Sequence, residues 1–65
     1  MNTKKIAENL KELRGKRSLE EVSKALGISR SALGMYESGK RIPRDEIKVR
    51  ISRFYQKTVE DIFFA

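Results

Sequence analysis

The chain has 65 residues, a length that suits one domain spanning residues 1–65, near the lower limit for folding without a covalent or metal staple. Cysteine and histidine are both absent, which excludes a disulfide framework, the usual zinc ligands, and any cysteine nucleophile or histidine base. Fifteen Lys plus Arg against nine Asp plus Glu leave a net charge of +6, a balance that favours polyanions such as nucleic acid.

In chain order, the first predicted helix runs from about Thr3 to Arg14, with Asn2 or Thr3 as its cap. Ile6, Leu10 and Leu13 share one face, Ala7 lies beside them, and Gly15 ends the helix. Ser18 with Glu21 three residues on has capping-box spacing and opens a second helix over about Leu19–Leu26. Val22, Ala25 and Leu26 are its expected inner positions, and Gly27 stops it. Ile28 is an apolar plug in the turn. Ser29 caps a third helix, about Arg30–Ser38, with Leu33 and Tyr36 inward and Gly39 closing it. The loop through Pro43 precedes a fourth helix over about Arg44–Tyr55, whose inward stripe is Ile47, Ile51, Phe54 and Tyr55. Asp45 and Glu46 sit in its first turn, where the helix dipole favours acids. Thr58, with Asp61 three residues later, caps a last short helix presenting Val59, Ile62 and Phe63. The expectation is an all-α fold of five helices and no strand.

The second and third helices are too short to stand alone, because helix nucleation is costly and each carries only one apolar stripe. Joined by a tight turn, they form a helix-turn-helix, whose second helix can enter a DNA major groove. The stretch ALGISRSALGMYESGKRIP resembles the signature of the Xre/Cro/cI-type repressors of bacteria and phage. Matching positions are Ser18, Val22, Leu26, Gly27, Ile28, Ser29, Leu33, Tyr36, Glu37, Gly39 and Pro43, and the likeness extends from Leu10–Arg14 to the final VEDIFF. Two places depart from the family pattern. Leu19 stands where a phosphate-touching Gln is usual, and the loop Gly15-Lys16-Arg17 is about two residues shorter. The resemblance implies a five-helix, lambda-repressor-like domain.

With Leu33 and Tyr36 turned inward, Arg30, Ser31, Gly34 and Met35 remain at the family's base-reading positions. Arg30 can bond guanine O6 and N7 together, or hold a phosphate; Ser31 suits most base edges. Gly34 costs about 1 kcal/mol relative to Ala inside a helix, so it needs a reason: close approach of DNA, or packing against a neighbouring helix. Met35 suits a thymine methyl or fills an internal gap. Expected phosphate contacts are Ser18 and Ser29 at helix N-termini, Lys40, Arg41 and Arg44 after the third helix, and Lys16 and Arg17 in the short loop. By resemblance, Glu37 pairs with Arg14 as a structural ion pair.

No residue set suggests an enzyme, since the acidic pairs Asp45-Glu46 and Glu60-Asp61 mark helix starts. No cofactor, metal or small-molecule ligand is expected. No apolar run approaches a membrane span, and Lys4-Lys5 lacks the apolar stretch of a signal peptide, so a cytoplasmic protein is expected. The resemblance implies a homodimer on double-stranded DNA, joined through Phe63 and Phe64, acting as a transcriptional regulator and repressor. A competing reading is a protein-interaction module such as an antitoxin, prompted by Leu19 and Met35 at polar positions.

Overall fold

The computed structural model describes residues 2–64 and contains helices α1 (Thr3–Arg14), α2 (Leu19–Leu26), α3 (Arg30–Ser38) and α4 (Asp45–Tyr55), then a π-helical turn at Glu60–Phe64. Among the described residues there is no strand. Side-chain caps fix the helix starts. Asn2 Oδ1 accepts from the Lys5 amide, Ser18 Oγ from Glu21 and Ser29 Oγ from Ala32, at 3.1, 3.0 and 3.0 Å. Each satisfies an amide that the helix itself leaves unpaired. Gly27 and Gly39 end α2 and α3 in the left-handed region, at φ 70° and 79°, where a side chain would be strained. Gln56 closes α4 in the same region at φ 57° without being glycine.

Ile6, Leu10, Val22, Leu26, Leu33, Tyr36, Ile51, Ile62 and Phe63 form one buried cluster. Each such side chain contributes about 1.5–3 kcal/mol by leaving water. Leu13, Leu19, Ile28, Ile47, Phe54, Tyr55 and Val59 pack around the cluster. α1 packs on α3 and on the terminal turn, while α2 packs on α3 and α4. Two long-range hydrogen bonds lock these contacts. Asn9 Nδ2 donates to the Ile62 carbonyl at 3.0 Å, joining α1 to the terminal turn. Arg50 Nη1 donates to the Leu26 carbonyl at 2.9 Å, placing a cation from α4 at the negative end of α2.

Several expectations need correction. Ala25 is exposed, because on so short a helix Val22 and Leu26 already fill the inner stripe. Arg44 is the N-cap of α4 and not its first turn, and it makes no side-chain cap bond. The last helix is a π-helical turn, though Thr58 Oγ1 accepts from the Asp61 amide at 3.0 Å as its spacing implied. Of the two residues expected at a dimer interface, Phe63 is 2% exposed and lies in the core, where its spacing with Val59 and Ile62 places it, and Phe64 is 59% exposed.

Candidate nucleic-acid interface

α3 is held on one side only. Leu33 and Tyr36 bury its inner face against α1 and α2, and its exposed side carries Arg30, Ser31 and Ser38. Gly34 and Met35 are half-buried. A Cβ built on Gly34 meets nothing within 4 Å, so packing against a neighbouring helix does not explain this glycine. Its conformation does not explain it either, since the positive-φ glycines are 15, 27 and 39. Gly34 is therefore a notch in a surface that the described residues leave open.

The far end of α3 is anchored by an ion pair. Arg14 Nε lies 3.0 and 2.9 Å from the two carboxylate oxygens of Glu37, which is only 4% exposed. Arg14 Nη1 also donates to the Arg17 carbonyl at 2.7 Å, so one side chain ties α1, the α1–α2 loop and α3 together. Hydrogen bonding to Glu37 raises the affinity of the guanidinium for its proton, keeping it charged. Tyr55 lies nearby, and its hydroxyl is buried without a partner among the described residues. Burial, then the Glu37 charge, pushes its pKa above the usual phenol value.

The residues expected to meet phosphate fall into three groups. Lys16, Lys40, Arg41 and Arg44 are exposed and make no ion pair among the described residues. Arg17 is also exposed, but its guanidinium rests over the rings of Phe54 and Tyr55, at 5.4 and 5.8 Å from their centroids. Ser18 and Ser29 mark the third group, the helix ends, and these differ. Glu20 and Glu21 already occupy the first turn of α2, whereas that of α3 holds no acid and begins with Arg30. The N-terminus of α3 is thus the more open to an anion.

Leu19, at the position where the family places Gln, packs against the core, which accounts for its apolar character. Periodicity marks Phe54 and Tyr55 only as part of the inner stripe of α4 and does not single out Arg50; their partners, Arg17 and the Leu26 carbonyl, lie far off in sequence.

Elsewhere, a cleft of about 220 Å³ is lined by Asn9, Glu12, Leu13, Lys57, Asp61 and Ile62, between α1 and the terminal turn. Among the described residues no group of three or more His, Cys, Asp or Glu could hold a metal ion. Among the described residues no helix is long and apolar enough to cross a membrane.

Comparison with curated proteins gave no match, and comparison with solved structures gave none. Among protein families, the match is to a helix-turn-helix family, HTH_3, over residues 10–62, which takes in α2, the turn, α3 and α4 whole. With most of its length matched and an all-helical fold built around the same motif, the chain belongs to this family of DNA-binding helix-turn-helix domains.

Proposed function

We propose that this chain is a sequence-specific regulator of transcription, a repressor that inserts α3 into the major groove of double-stranded DNA and blocks a promoter. The observation that carries this reading is the open outer side of α3, with a notch at Gly34 that no described residue fills. Arg30 reads a guanine edge, Ser31 a neighbouring edge, and Met35 an apolar methyl. Gly34 lets the helix backbone approach the base pairs. Ser29, Lys40, Arg41 and Arg44 hold phosphates around α3; Ser18, Lys16 and Arg17 hold phosphates at the α2 end. The protein works where the chromosome is, in the cytoplasm of a bacterial cell, and as a homodimer. Phe64 and Val49, 59% and 39% exposed, supply apolar surface for the second copy.

Selection of bound duplexes from a random-sequence library tests the proposal. Enrichment of a pseudo-palindrome, with half-sites about 34 Å apart on one face, is the expected result. Weak, sequence-blind binding would leave the protein-interaction reading in its place. Salt separates the two further: for a DNA regulator, log K falls linearly with log salt.

A further inference from the structure

Most arginines of this chain are either fixed and already engaged, or free and unfixed. Arg14 is engaged with Glu37 and the Arg17 carbonyl, and Arg50 with the Leu26 carbonyl. Arg30, Arg41, Arg44 and Arg53 are exposed, without ion pairs among the described residues. Among the described residues, Arg17 alone is held at both ends and still has its donors unspent. Its carbonyl is gripped by Arg14 at 2.7 Å. Its guanidinium sits over a corner made by Phe54 and Tyr55, whose rings meet edge-on with centroids 5.0 Å apart and planes at 66°. No carboxylate lies within ion-pair distance of it among the described residues.

We infer that Phe54 and Tyr55 are positioning residues for DNA binding: they form an aromatic shelf that holds Arg17 as a ready-made clamp for one backbone phosphate at the α2 end of the interface. The inference rests on the DNA-binding reading above and adds residues of α4 that this reading does not use. Ring faces attract a cation but accept none of the strong in-plane hydrogen bonds of a guanidinium. The shelf therefore restrains the side chain and leaves its N–H fork available, which removes part of the ordering cost of a phosphate contact. The clamp depends on the guanidinium and not on the α2 helix end, where Glu20 and Glu21 oppose an anion.

A double-mutant cycle on binding to a mixed-sequence duplex at low ionic strength tests this. Arg17→Ala should weaken binding about tenfold and lower the salt slope by about 0.9. Phe54→Leu should weaken it about threefold to tenfold when Arg17 is present, and hardly at all in the Arg17→Ala background. An equal loss from Phe54→Leu in both backgrounds would mean a merely structural role and overturn the inference. An unchanged salt slope in Arg17→Ala would do the same. Absence of any duplex binding by the parent protein would instead remove the DNA reading, and this clamp with it. Side-chain Nε relaxation needs no variant: Arg17 should be ordered in the free protein while Arg41 is mobile, and an equally mobile Arg17 contradicts the shelf.

Discussion

Replacing Arg14 with methionine strands the Glu37 carboxylate. That side chain is 5% exposed, against 22% for Arg14, so the two halves of the pair are not equivalent. Breaking a buried ion pair costs about 3–5 kcal/mol when the remaining charge stays buried. Arg14→Met leaves the deeper charge behind and also loses the 2.7 Å bond to the Arg17 carbonyl, so a loss of about 3 kcal/mol or more is expected. Glu37→Met leaves the shallower one, which can turn toward water, and about 1–2 kcal/mol is expected. A domain of this size has a stability of only about 3–10 kcal/mol. Arg14→Met should therefore lower the melting temperature by about 12 °C or more, at about 4–8 °C per kcal/mol. The double variant should lose less than the sum of the singles, because two apolar groups replace the pair. Urea unfolding followed by far-ultraviolet circular dichroism measures all three. Equal small losses from the singles, or a double loss equal to their sum, would refute the reasoning. DNA binding by Glu37→Met, measured where it is folded, should persist; its disappearance at normal stability would give Glu37 a direct role in recognition.

Gly34→Ala should raise stability by about 1 kcal/mol, since no described residue lies within 4 Å of the added methyl, while weakening DNA binding. Gains in both would show that the notch does not face the duplex. Arg50→Met should cost about 1 kcal/mol in a thermal melt, by uncapping the Leu26 carbonyl at the end of α2. A neutral result would mean that water serves this carbonyl equally well. The Tyr55 hydroxyl holds its proton more tightly when folded, so the unfolded chain ionises first as pH rises past about 10. Its contribution is complete below that pH and is lost as the folded-state pKa is passed. Tyr55→Phe should accordingly flatten part of the alkaline decline in stability, and an unchanged alkaline profile would contradict the shift.

Local chemistry explains what could be read from the residues. Ser18 with Glu21, Ser29, Gly27 and Gly39 are caps whose partners lie within a few positions, so the bounds of α2 and α3 were legible. The start of α4 slipped by one residue because Arg44 has no capping side chain to signal it. Ala25 was misjudged since alanine is small enough to tolerate either face of a helix. The buried place of Phe63 and the exposed one of Phe64 agree with the spacing that groups Phe63 with Val59 and Ile62 and leaves Phe64 beyond them. Arg50 on Leu26 and Asn9 on Ile62 join positions 24 and 53 residues apart. The shelf under Arg17 likewise needs the end of α4 to fold back beside the α1–α2 loop. Lys48 is another long-range outcome: only 7% exposed, its amine lies over the rings of Phe63 and Phe64.

Amide chemical-shift changes on titrating the labelled protein with a short duplex test the central claim most directly. The largest changes should fall on Arg30, Ser31, Gly34 and Met35, with smaller ones at Arg17, Ser18, Lys40 and Arg41. Changes centred on Val49 and Phe64, with α3 left undisturbed, would contradict it.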